Sequence, residues 1–257
     1  MIAEKYLDIF GDKDGVKAFF TTKEGAVEGA PEGTVFNNEA LFAELGLADT
    51  FKVWPRQIHQ SNIEVIREDD LRRLQDSGEE RSVILPATDG VVTDVKNVLL
   101  TTVHADCLPV YFYDSKKGVI GLVHAGWRGA LAGIAPQAIR KMTFVLGAGL
   151  KDIDVHIGPG ISKCCFEVGS EVASQFLLEW GFSFAEPIEK EDAAEDDEDK
   201  YLLDLKAIVK QQLLNTGIPE EKIEVNEHCT YCEPELFCSY RREGGTYMRM
   251  GAGICML

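Results

Sequence analysis

Four stretches of the chain carry apolar residues at nearly every position: GVVTD, VLLTTVHADC, PVYFYD and GVIGLVHAG. Short β-branched and aromatic runs bounded by turn residues predict strands. DSKKG between the last two supplies the turn of a hairpin. Upstream, GVKAFFTT predicts a strand, EALFAELGL a short helix and the alternating WPRQIHQSNIEVI one long strand. Residues 67 to 82 are polar and predict a helical turn and loop. ALAGIAPQAIRKMTFVL has helical period, with Pro136 in a first turn or at a kink. DIDVHIGPG is a strand stopped by Gly-Pro-Gly, and EVASQFLLEWG a helix closed by Gly181. YLLDLKAIVKQQLLNTG spaces its apolar residues at i, i+3, i+4 and i+7, which predicts a helix from near Tyr201. KIEVNEHC and LFCSYRREGGTYMRMGAGICML close the chain as strands. Strands alternate with helices without a strict βαβ rhythm, so the pattern predicts an α+β fold of mixed sheet flanked by helices.

Composition adds bounds to this picture. A chain of 257 residues, 45% of them hydrophobic, buries a full core. No compositional break or Pro/Ser-rich linker divides it, which predicts one domain over residues 1–257. The acidic run EPIEKEDAAEDDEDK at about 186–200 interrupts the pattern and reads as a solvated surface insertion. The N-terminus is charged where a signal peptide needs an apolar core, and no stretch approaches the ~18 apolar residues of a membrane span. Those features predict a cytoplasmic protein that does not enter the membrane. The net charge of −17 excludes a nucleic acid polymer as partner, while leaving room for a small anion in a local pocket. Seven cysteines, with Cys164 and Cys165 adjacent, suit a reducing compartment. Nothing in the pattern determines an oligomeric state.

Candidate chemistry collects at the ends of the apolar runs. Cys107 in HADCLPV and His124 in VHAGWRG are brought together by the hairpin. A thiol beside an imidazole is either a nucleophile with its base or a pair of metal ligands. His59 in RQIHQSN, with Gln57 two positions earlier on the same strand face, extends the pair to a Cys-His-His set. That is the ligand number and type of a catalytic zinc site with an open fourth position. Arg128, four residues after His124 at a predicted helix start, suits either a phosphate or substrate contact or an ordinary structural salt bridge. Asp106 either points away from Cys107 or orients a ligand. Arg241 and Arg242 follow a predicted aromatic strand, where they either hold a carboxylate or phosphate or lie exposed on the surface. Cys229-Thr-Tyr-Cys232 resembles a metal knuckle, with His228 and Cys238 nearby. A closed site needs four ligands with knuckle-like spacing, and Cys238 belongs to an apolar strand, so the spacing argues against a second zinc.

The ordered strings RQIHQSN, ATDGVVTD, HADCLPV, VHAGWRG, IGPGISKCCFEVG and FCSYRREGGTYMRM resemble the segments of the YfiH family, also called laccase-domain or DUF152 proteins. They run from about residue 15 to the C-terminus. The resemblance implies an α+β architecture shared with certain bacterial toxins that carry a Cys-His site, and a zinc-binding active site at His59, Cys107 and His124. It further implies phosphorolysis of adenosine, inosine and methylthioadenosine, together with adenosine deamination. Some members are called polyphenol oxidases or peptidoglycan-editing factors, which keeps a metal-free Cys-His hydrolase or amidase in view. A copper oxidase is disfavoured, because a multi-copper cluster needs more imidazoles than five histidines supply. A binding protein without activity would leave the Cys-His set unexplained.

Overall fold

The structure, a computed structural model, describes residues 5–11, 13–29, 34–76, 81–188 and 199–257. Its strands form two large mixed sheets and one small sheet. The first large sheet runs in the order Tyr6–Asp8, Val16–Thr21, Met248–Met256, Val98–His104, Phe51–Pro55, Ser82–Leu85, with Val27–Glu28 also paired to Met248–Met256. The second runs Ile223–Val225, Ile153–Ile157, Leu108–Asp114, Val119–Ala125, Gly90–Thr93, Ile63–Ile66.

The doubly apolar runs lie back to back. Val98 and Leu100 point into a cluster shared with Tyr111, Ile120 and Leu122 of the second sheet, so the two sheets pack face to face. Leu99 and Val103 point the other way, onto Phe36, Leu41 and Phe42. On the outer face of the second sheet, Val110, Phe112, Val119 and Val123 meet Ala130, Ile134, Ala138, Ile208 and Leu213 of the helices. Each such large side chain contributes about 1.5–3 kcal/mol when fully buried. The C-terminal strand shows how closely these layers approach. A Cβ on Gly251 would lie 2.2 Å from the Phe36 ring and one on Gly253 2.3 Å from that of Phe19, so the strand leaves one face bare.

The expected sheets, hairpin and flanking helices are present, with three corrections. WPRQIHQSNIEVI is not one strand: Phe51–Pro55 belongs to the first sheet, Ile63–Ile66 to the second, and His59 lies on the crossover between them. Residues 56–62 turn because the buried Asp89 carboxylate captures three of their amides, which a strand ladder would otherwise need. The helix expected from Tyr201 begins at Leu205, since Asp204 caps it by accepting the Ala207 amide at 2.9 Å; Lys200–Leu203 is instead a strand of the small sheet. LFCSYRR forms turns, so Cys238, Arg241 and Arg242 are not on a strand and only Met248–Met256 is extended. Pro136 does sit in the first turn of its helix, Ile134–Arg140, which a left-handed Gly133 separates from Trp127–Leu131. Of the acidic run, 189–198 lies outside the described residues. No helix among the described residues is long and apolar enough to cross a membrane.

Candidate metal centre

The strand Val98–His104 ends in the first sheet and Leu108–Asp114 begins in the second, so residues 105–107 pass the chain between layers. Asp106 makes that turn at φ 86°, a left-handed conformation few residues other than glycine adopt. Cys107 follows it directly. Across the hairpin, the register Ala125↔Leu108 and His124↔Pro109 sets the imidazole beside the thiol. His59 arrives on the other crossover, also left-handed at φ 60°. One donor atom each from His59, Cys107 and His124 falls within 4.8 Å of the others, and the two imidazoles meet edge to face at 4.9 Å. Gly126 makes the approach possible, because a Cβ there would stand 3.1 Å from the Cys107 sulfur.

Asp89 organises this arrangement, and the sequence reading did not single it out. Its buried carboxylate accepts the amides of Ile58, His59 and Gln60 and pairs with His124 Nδ1 at 3.0 Å. A single acid therefore holds the His59 loop and fixes the His124 ring, leaving Nε2 for the site. The sequence cue was an aspartate at the mouth of the fully buried strand Gly90–Thr93, a position where a carboxylate must be hydrogen-bonded. Burial raises the Asp89 pKa, but the His124 hydrogen bond and the loop amides outweigh it and hold it below the usual range.

The ligand candidates are electrostatically matched. Burial opposes a Cys107 thiolate, yet the charge and hydrogen bond of His124, with a hydrogen bond from His59, bring it down to about 6. Burial likewise disfavours a His124 cation, while the Cys107 thiolate and Asp89 lift it to about 9. His104, close by, is held neutral by burial and engages Thr102 and the Cys107 carbonyl through its two ring nitrogens. The three-ligand set grades from buried His124 through half-buried Cys107 to exposed His59 and so opens to one side.

That side is a cavity of about 670 Å³. Three arginines line it, Arg128, Arg241 and Arg249, together with Phe166 and Tyr240. Arg128 lies over the Trp127 ring at 4.2 Å, and no carboxylate among the described residues pairs with it. Its helix has five residues, so an anion there would rest on the guanidinium rather than on a helix end. Gln57 lines the wall, but its amide is engaged by Val103 through both N–H and C=O, a bracing contact. The Asp106 carboxylate accepts Thr230, Ser239 and the Arg241 amide, which ties the Cys107 turn to the 230–241 segment. Arg241 gives one N–H to the Glu167 carbonyl and lies over Phe166. Arg242 is spent on the carbonyls of Thr230, Tyr231 and Phe237.

The knuckle-like pair Cys229 and Cys232 has partners other than those its neighbourhood in sequence suggested. His228 pairs with Glu233 at 2.7 Å and Cys238 is buried in the core; Cys164 and Cys165 are the residues that close on the pair.

A Cys-His-His set that could hold a metal ion, with a carboxylate behind one imidazole at the crossovers of two mixed sheets, marks an α/β protein of the laccase-domain type. The chain belongs to that family, described as multi-copper polyphenol oxidoreductase laccase, over residues 19–257. It is 32% identical over 256 residues to the purine nucleoside phosphorylase YlmD of Bacillus subtilis (strain 168), covering 94% of this chain and 88% of the relative. It is 31% identical over 269 residues to adenosine deaminase RL5 from an unknown prokaryotic organism, covering 99% of both. The crystal structure of the Bacillus licheniformis hypothetical protein YfiH superposes with a TM-score of 0.79 at 33% identity, over 100% of this chain and 98% of that one.

Proposed function

We propose that this chain is a zinc-dependent purine nucleoside enzyme, acting in the cytoplasm as a single catalytic domain. It cleaves adenosine, inosine and methylthioadenosine with phosphate and also deaminates adenosine. The observation that carries the reading is the concentration of Arg128, Arg241 and Arg249 on the cavity of the Cys-His-His set, in a chain of net charge −17. Such a chain repels phosphate unless cations are gathered locally. The relatives named purine nucleoside phosphorylase and adenosine deaminase support the same substrate class.

Zinc suits the donors, since three mixed N and S ligands with a carboxylate-backed imidazole make a site that keeps one position open. Bound by His59, Cys107 and His124, it supplies Lewis-acid chemistry at that position. A multi-copper cluster fits poorly: His104 has both ring nitrogens engaged and His156 and His228 do not line the cavity, which leaves two imidazoles. The protein groups do the positioning. Arg128 and its neighbours hold phosphate by charge-assisted hydrogen bonds, and exposed Tyr240 offers a ring face to a purine. A phosphate oxygen then displaces the base from the ribose, giving the free purine and ribose 1-phosphate, with orientation supplying much of the rate.

One observation favours a second reading. Asp89, His124 and Cys107 stand in the order orienter, base, nucleophile, with the thiol brought down to about 6, as a metal-free cysteine hydrolase or amidase acting on a peptidoglycan precursor requires. Chromatography of adenosine incubated with phosphate separates the two. Adenine and ribose 1-phosphate, with some inosine and ammonia, all lost on chelation, support the nucleoside enzyme. Chelator-resistant amide hydrolysis without nucleoside turnover overturns it.

A further inference from the structure

We propose that Cys164, Cys165, Cys229 and Cys232 form a second metal centre, a closed tetrahedral zinc site that fastens the wall of the cavity. Their four sulfurs lie within 4.8 Å of one another. Four of the separations are 3.2 Å (Cys165–Cys232), 3.5 Å (Cys164–Cys165), 3.6 Å (Cys164–Cys232) and 3.8 Å (Cys164–Cys229). A tetrahedron of thiolates around zinc, with Zn–S near 2.3 Å, has sulfur–sulfur edges of about 3.8 Å. The four thiols therefore already approximate the outline of the ion's ligand shell.

Backbone amides are aimed at the cluster: the Cys229 sulfur accepts the Ser162 amide at 3.4 Å and amides of Tyr231 and Cys232. Such N–H···S contacts are how a Cys-x-x-Cys turn holds a negative sulfur. Buried Lys206 lies against the same two segments, its ammonium donating to Ser162 Oγ at 3.0 Å and to the carbonyls of Asn226 and His228 at 2.8 and 2.7 Å. An ammonium there stands beside a centre that would carry a net negative charge. Each cysteine binds as its thiolate, releasing its proton to solvent, and all four positions of the ion are filled by protein. That makes the site structural. Packed hydrophobic thiols are the simpler alternative, but Cys164 and Cys232 are exposed and gain nothing from burial.

What the ion would fasten follows from the chain. Gly160 bridges to Cys229, and the Thr230 amide donates to the Gly160 carbonyl. One segment carries the cavity residues Ile161 and Phe166; the other leads through Thr230, which holds Asp106, to Tyr240 and Arg241. The centre joins the two loops that shape the substrate side of the cavity.

The inference does not rest on the nucleoside reading, and its test uses the full chain purified under reducing conditions. Elemental analysis of Cys107→Ser/His124→Ala protein, incubated with zinc and desalted, should find one tightly held zinc that Cys229→Ser or Cys232→Ser added to that background removes. Cobalt in its place should show the charge-transfer bands of a tetrahedral thiolate set. Alkylation of native wild-type protein, read by mass spectrometry, covers the case in which those variants fail to fold. Cys164 and Cys232 should resist labelling with zinc present and label at least tenfold faster after chelation. Full-rate labelling in the presence of zinc, no zinc in the double variant, or a disulfide among the four thiols overturns the proposal.

Discussion

The two thiol-bearing clusters use the same element for different ends. His59, Cys107 and His124 hang from strand ends and crossovers in the middle of the molecule, offer three donors and face a cavity. Cys164, Cys165, Cys229 and Cys232 stand on two loops, offer four sulfurs and are not among the residues that line that cavity. Three donors leave a position for chemistry; four leave none. The supporting groups differ in the same sense. Behind the first cluster a buried carboxylate orients an imidazole and raises its basicity, while behind the second lie an amide that donates to sulfur and a buried lysine that braces the two loops.

The contrast breaks most sharply at Cys107. Cys107→Ser and His124→Ala are each expected to lower kcat/KM by more than the ~10–100-fold typical of an outer-shell change, while Cys107→Ser moves the melting temperature of metal-free protein only a few degrees. Calorimetry beside a nucleoside assay checks both, and a lost fold would mean the first cluster is a staple too. The opposite pattern is expected at Cys232: Cys232→Ser should lower the melting temperature of zinc-loaded protein by about 10 °C, since a ligand at ~1,000 times its Kd contributes about 4 kcal/mol and 1 kcal/mol is worth about 2–4 °C at this size. An unchanged melting curve would remove the structural role.

Smaller effects sharpen the picture around each residue. Asp89→Asn should weaken metal binding at the first cluster by ~10–100-fold, measured by competition with a chromophoric chelator, because the neutral amide no longer fixes the His124 ring or collects all three loop amides. The second cluster should be untouched, so its zinc remains. Arg128→Ala should raise KM for phosphate by about tenfold, the scale of one charge-assisted hydrogen bond, and leave KM for the nucleoside within twofold. Equal effects on both would make Arg128 a general wall residue rather than an anion contact.

Much of this organisation was legible in the order of residues. The apolar runs read as strands from their β-branched and aromatic residues, and the DSKKG turn between two of them made Cys107 and His124 neighbours. Those are local statements, resting on periodicity and a short loop, and they held. His59 was placed in the right cluster through the family resemblance but on the wrong element, because alternation in WPRQIHQSNIEVI looks the same whether a ladder or a buried acid takes up its amides. Asp89 is thirty positions from His59 and thirty-five from His124, and no spacing rule reaches that far. The cysteines teach the same lesson more strongly. Cys229-x-x-Cys232 showed half a ligand set, and its other half lies 64 to 68 residues earlier. Sequence by itself determined which segments are buried and which donor atoms exist. Only the tertiary structure decided which donors meet, because that depends on how the sheets stack and which loops cross between them, where contacts are made between residues far apart along the chain.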